Sequence, residues 1–208
     1  MRRMSLTFYS APMSTASITE LVLEELGVPH ETVKLDIQKG DTKKPEFLAV
    51  NPNGRVPCIV HDGTVIWESA ALTMYLGETF GVERGLYPGP GLRRGEAMKW
   101  IVWTNVTLGD AVSRYTRNTM TWYPEEQKNA AAGEAAKNDI AECLRVLNLS
   151  LEGKAYLTGD YTLADTHLNS FCEWLRMMKI DFAPFPNVIA WGTRCSDRPA
   201  VKKVLGGA

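Results

Sequence analysis

Apolar positions fall into two rhythms along the chain. As far as Phe80, strand and helix signals alternate. Leu6–Ser10 (LTFYS) reads as a strand; Ile18, Leu21, Val22 and Leu26 then recur at helical spacing and stop at Gly27, and HETVKL (30–35) reads as a second strand. This βαβ pattern predicts two parallel strands joined by a right-handed crossover. A short helix is expected around KPEFLAV (44–50). VPCIV (56–60) and TVIW (64–67) flank His61-Asp62-Gly63, a turn signal that predicts an antiparallel hairpin, and a helix from about Ser69 to Phe80 follows.

Glycine and proline then break the periodicity in GVERGLYPGPGLRRG (81–95), as an interdomain connection does. Beyond it the helical period takes over. Met98, Ile101, Val102, Asn105 and Val106 open one long helix; residues 130–151 and 163–179 form two more, and 186–197 a shorter one with Pro186 in its first turn. The fold expected is an α/β thioredoxin-like N-terminal domain (βαβ-ββα, residues 4–82), a linker (83–92) and an all-α helical C-terminal domain (93–208).

Composition narrows the function classes. With 208 residues, 45% of them apolar, the chain can bury a sizeable core. Lys plus Arg number 23 against 24 Asp plus Glu, so the net charge of -1 gives no electrostatic case for nucleic acid or an anionic membrane. The opening MRRMSLTFYS carries two arginines without an apolar stretch of signal-peptide length, which predicts a cytoplasmic protein. Cys58, Cys143, Cys172 and Cys195 are scattered, with no CxxC and no Cys/His spacing for zinc, so reduced, packed thiols and no metal are expected. His30, His61 and His167 stand isolated, without the pattern of a hydrolase.

The most informative text is NPNGRVPCIV followed by WESAAL, and later YLTGDYTLADTHL and PNVIAWGTRCSDRPAV. As an ordered set these strings resemble the soluble glutathione transferase family along nearly the whole chain, and the APMST turn is most similar to its serine-type, phi-like or related bacterial members. The resemblance implies glutathione as co-substrate, a small electrophile as second substrate and a homodimer. It also implies a cis Pro57 that turns the backbone of Val56 toward the cysteinyl unit of glutathione as an added strand. Glu68 would take the γ-glutamyl ammonium, and Ser69, at a helix start, its carboxylate; otherwise Ser69 is an N-cap. Lys43, or Lys44 beside it, would reach the glycine carboxylate. Arg55 stands where many members carry glutamine.

The hydroxyl cluster at the first helix supplies the chemistry. A glutathione thiol with a pKa of about 8.5 is only a few per cent thiolate at neutral pH. A hydroxyl donating to sulfur near a helix N-terminus stabilises the thiolate selectively. The resemblance places Ser14 in that role, and alignment on LEELG with cysteine-type members places Thr15 there. Tyr9 reads as a strand residue and Cys58 as a packed thiol. Met13 and Trp103 are expected to line the electrophile pocket between the domains, with Met120, Trp122 and Tyr123 as further candidates. Thr162 and Asp165 resemble the family's capping box, a folding device. Glutathione-dependent redox or ether-cleaving chemistry at the same site, and a non-catalytic binding or scaffold role, are the alternatives.

Overall fold

In the computed structural model, which describes residues 4–205, the first strand–helix series forms as its pattern requires. The elements are β1 (Leu6–Ser10), α1 (Ala16–Leu26), β2 (Glu31–Lys34), α2 (Pro45–Leu48), β3 (Cys58–His61), β4 (Thr64–Trp67) and α3 (Ser69–Leu76). The sheet runs β2-β1-β3-β4, with β1 parallel to β2 and antiparallel to β3, and β4 antiparallel to β3. This βαβ-ββα order is the thioredoxin-like fold. Period-two alternation places Leu6, Phe8 and Ser10 inward, and Ile59 lies opposite Phe8 at the buried centre. From one side α1 covers them with Ile18, Leu21, Val22 and Leu26, and it ends where Gly27 turns left-handed and donates to Glu24 O at 3.1 Å. The hairpin turn takes positive φ at both Asp62 and Gly63, which matches the twist of its strands.

Three details depart from expectation. The second strand is confined to Glu31–Lys34. The helix from Ser69 keeps α geometry only to Leu76 and widens into a π turn at Gly77–Gly81, where the buried ring of Tyr87 packs against Gly77. The last helix, α9 (Pro199–Leu205), belongs to the first unit rather than closing the helical one: it packs on α1, and Lys203 Nζ meets Glu24 Oε1 at 2.7 Å. Residues 1–3, with the two arginines, and 206–208 lie outside the described residues.

The second unit, Gly91–Arg198, is helical. Its elements are α4 (Leu92–Trp103), α5 (Gly109–Thr119), α6 (Ala130–Ser150), α7 (Leu163–Met177) and α8 (Pro186–Ser196). Between α4 and α5 the chain widens into a π turn at Thr104–Leu108. Thr104 Oγ1 donates back to Trp100 O at 2.8 Å there, competing with the regular helix ladder. Ile101, Leu108, Ile140, Leu144, Leu147, Leu168 and Trp191 fill the core. Asp165 has no exposed surface and closes the capping box: Thr162 N–H donates to its Oδ2 at 2.9 Å, while Leu157 N–H (2.9 Å) and Trp191 Nε1–H (2.8 Å) donate to Oδ1. Asp165 thus joins a loop and two helices. His167 is also buried, 2.7 Å from Asn105 Oδ1, and loss of solvent drives its pKa down to about 3, so the ring is neutral. Among the described residues no helix is long and apolar enough to cross a membrane.

Candidate active site

Strand register brings the candidate stretches of the first unit to one edge of its sheet. Tyr9 pairs with Cys58, and Cys58 with Trp67. The chain just beyond those positions is therefore Ala11–Thr15 after β1, Val56–Pro57 before β3, and Glu68–Ser69 after β4.

The Val56–Pro57 peptide is cis. The N–H and C=O of Val56 meet no protein partner among the described residues, so one donor and one acceptor stand available beside the sheet. The preceding loop is held by Asn51, which is 1% exposed: its Nδ2 donates to Arg55 O at 2.7 Å and its Oδ1 accepts from Asn53 N–H at 3.1 Å. Gly54 adopts φ 58°, and a Cβ there would stand 2.7 Å from Thr42 O and 2.8 Å from Lys43 Nζ, so only glycine fits. Asn51 escaped notice in the sequence, although the Asn-rich NPNG turn carries the signal for such side-chain bracing.

Two lysines that the sequence left equivalent are distinguished by their partners. Lys44 Nζ is paired with Asp41 at 2.7 Å, and that bond raises its pKa. Lys43 Nζ instead donates to Gly54 O at 3.0 Å and meets no carboxylate among the described residues. Arg55 is exposed, and its guanidinium makes no ion pair among the described residues. Two cations, Lys43 reaching Gly54 and Arg55 just before Val56, thus stand without a carboxylate partner among the described residues.

Glu68 caps α3 with φ 74° and ψ 120°, a conformation unusual for a residue with a Cβ. Its carboxylate is exposed and makes no ion pair among the described residues. Ser69 is buried and is the first helical residue; the N-cap position belongs to Glu68. Such a conformation persists only where surrounding structure enforces it, and it gathers at functional sites.

At the third stretch, Met13 adopts φ 53° and is 77% exposed. Ser14 and Thr15 follow, both half-buried, and Thr15 is the N-cap of α1 without a side-chain capping bond. Tyr9 is a strand residue with its ring 5.5 Å from that of Phe47. Cys58 is fully buried and desolvation pushes its thiol up to about 12, which makes it inert. Cys143, Cys172 and Cys195 are likewise buried and free.

Trp103 lies in the second unit, half-buried at the end of α4, with its ring edge-on to Trp100 at 5.3 Å. Met120, Trp122 and Tyr123 lie in the segment after α5, where Trp122 is 64% exposed. Among the described residues no group of three His, Cys, Asp or Glu side chains is placed to hold a metal ion.

Comparison with known proteins gives this geometry a family. The description "Glutathione S-transferase, N-terminal domain" matches residues 13–79, and "Glutathione S-transferase, C-terminal domain" matches 108–199. The chain is 32% identical over 188 residues to glutathione S-transferase GstB of Escherichia coli strain K12, covering 89% of each protein. The structure of the glutathione transferase URE2P6 from Phanerochaete chrysosporium, in complex with oxidized glutathione, is similar with TM-score 0.89 and 28% identity, covering 98% of this chain and 96% of that one. Ure2p in complex with glutathione superposes with TM-score 0.87 at 25% identity, over 98% of this chain and 93% of the other. With both halves matched and the sheet edge built as described, the chain belongs to the glutathione S-transferase family.

Proposed function

We propose that the first unit binds glutathione and that the protein transfers the glutathione thiolate to an electrophilic small molecule. The observation that carries this reading is the set of groups gathered at this side of the first unit: among the described residues the Val56 backbone has no partner, the Glu68 carboxylate no cation, and the Lys43 and Arg55 cations no carboxylate. Glutathione is an extended tripeptide with the complementary set. Its cysteinyl unit takes the N–H and C=O of Val56 as an added strand. The γ-glutamyl ammonium pairs with Glu68, its carboxylate lies at the α3 N-terminus beside Ser69, and the glycine carboxylate lies toward Lys43 and Arg55.

The sulfur then sits by the start of α1, where Ser14 or Thr15 donates to it. Lowering the thiol pKa by about two units needs roughly 2.7 kcal/mol of preference for the thiolate. One charge-assisted hydrogen bond together with the positive end of a helix supplies a preference of that size. The thiolate gives its electron pair to an electrophilic carbon; the S–C bond forms as the leaving group departs with its bonding pair. Met13, exposed just before the start of α1, is the residue of this unit proposed to meet the electrophile. No metal takes part.

The same contacts also support a redox reading, favoured by the oxidized glutathione held in the URE2P6 structure. There the thiolate attacks one sulfur of a disulfide and the other sulfur leaves as a thiolate. Four buried, free cysteines suit a reducing compartment, and the protein is read as cytoplasmic. Homodimerisation belongs to the reading too: exposed Met98, Val102 and Val106, four apart along one helical run, offer apolar surface for a second copy to cover, which light scattering tests.

Assaying the protein with glutathione and an aryl halide, and separately with a mixed disulfide of glutathione, decides between the chemistries. Turnover of the aryl halide well above the uncatalysed rate supports transfer. Turnover of the disulfide alone supports the redox reading, and glutathione binding with neither activity leaves a binding or scaffold protein.

A further inference from the structure

Two hydroxyls stand side by side at the start of α1, and the structure gives them different work. Ser14 Oγ donates its one proton to Ala11 O at 2.6 Å and accepts from Ala16 N–H at 3.3 Å. The Ser14 carbonyl accepts from Ser17 N–H at 3.2 Å and from Ser17 Oγ at 3.1 Å. Ser14 is thus tied into the turn on both sides. The turn has a need for such ties, because Met13 just before it holds a left-handed φ of 53° without being glycine. For Ser14 to donate to a sulfur it must release Ala11 O, a carbonyl of a buried residue, which then loses its partner.

Thr15 is in the opposite position. It is the N-cap residue with φ −64° and ψ −1°, its hydroxyl takes no capping bond, and neither that hydroxyl nor its own N–H has a protein partner among the described residues. The residue is half-buried rather than enclosed. Helix-like dihedrals add its N–H to the aligned amides of the helix start, which favour negative charge.

Resting on the glutathione reading above, we propose that Thr15 is the catalytic hydroxyl, donating with its backbone N–H to the glutathione sulfur, and that Ser14 is the brace of the turn that presents it. The thiol proton passes to solvent as the thiolate forms. Thr15 keeps its own proton and shares it as a hydrogen bond.

The test is a titration of bound glutathione's thiolate absorbance against pH in the intact protein, for wild type, Thr15→Val, Thr15→Ser and Ser14→Ala. Valine preserves the shape of threonine without the hydroxyl, whereas serine preserves the hydroxyl without the methyl. The expected result is an apparent pKa about one unit or more higher in Thr15→Val, a roughly tenfold loss of thiolate below both pKa values. Thr15→Ser keeps the wild-type value, and Ser14→Ala, which loosens the turn, melts at a lower temperature and raises the pKa by less than Thr15→Val does; a larger rise in Ser14→Ala than in Thr15→Val overturns the assignment. A wild-type pKa in Thr15→Val overturns the assignment, as does an equal loss in Thr15→Val and Thr15→Ser. A wild type that binds glutathione with no lowered pKa overturns thiolate activation itself, and with it the assignment.

Discussion

Replacing Asp165 with asparagine removes one oxygen acceptor from a site with no exposed surface. Oδ1 accepts from Leu157 N–H and Trp191 Nε1–H, and Oδ2 accepts from Thr162 N–H, with the Thr162 hydroxyl at 3.3 Å. An asparagine fits the volume, but one of its two terminal atoms becomes an NH2 that faces a donor. The milder orientation keeps the carbonyl toward Leu157 and Trp191 and abandons Thr162 N–H. That leaves a buried donor unsatisfied, at about 1–3 kcal/mol, and weakens the retained bonds by removing their charge. The sum is about 3 kcal/mol, a large part of a domain stability of roughly 5–15 kcal/mol. Urea unfolding near neutral pH measures it directly. Burial pushes the Asp165 carboxyl above the ordinary range while its donors pull it down, so the experiment also reports which influence prevails. A variant within about 0.5 kcal/mol of wild type at an unchanged slope on denaturant refutes the reasoning, because a carboxyl already neutral in the fold, or a capping box of little weight, is then the better description.

Three further outcomes follow from individual side chains. Burial holds His167 neutral to about pH 3, whereas in the unfolded chain it takes a proton near 6.5. Stability present above that value is lost as pH falls, at up to about 1.4 kcal/mol per unit, and His167→Gln flattens this slope in acid unfolding curves. Glu68→Gly relieves the left-handed backbone and removes the proposed ammonium partner, so thermal stability rises by up to about 1 kcal/mol while glutathione affinity falls at least about tenfold in calorimetric titration; stability lost without loss of affinity contradicts the assignment. Lys43→Met weakens glutathione binding, and Lys44→Met, whose ammonium is already paired with Asp41, leaves it within about twofold; the reverse order contradicts the assignment of Lys43.

Much of the fold was legible because local chemistry and tertiary packing agree. The apolar spacing from Ile18 to Leu26 and the stop at Gly27 specify α1, and the Asp62-Gly63 turn specifies the hairpin that sets the strand register. That register is what brings Ser14, Val56 and Glu68 to one edge, so the ordered motifs sufficed to nominate the candidates. What escaped depends on contacts between distant segments. The left-handed backbone of Met13 and Glu68 goes against the local preference of both residues. The proton of Ser14 is claimed by Ala11 O, a partner that no side-chain pattern reveals. Lys43 and Lys44 are adjacent and identical in type, and only the place of Asp41 separates them. α9 follows the helical unit in sequence, yet packs on α1 with Lys203 meeting Glu24.

The most direct test titrates glutathione and, separately, cysteinylglycine into the intact protein by calorimetry. Both ligands carry the cysteinyl strand and the glycine carboxylate, and only glutathione carries the γ-glutamyl unit that Glu68 and the α3 N-terminus are proposed to hold. The predicted result is that glutathione binds one per chain and cysteinylglycine binds at least about tenfold more weakly. No binding of glutathione, or equal binding of the two, contradicts a glutathione site at this sheet edge.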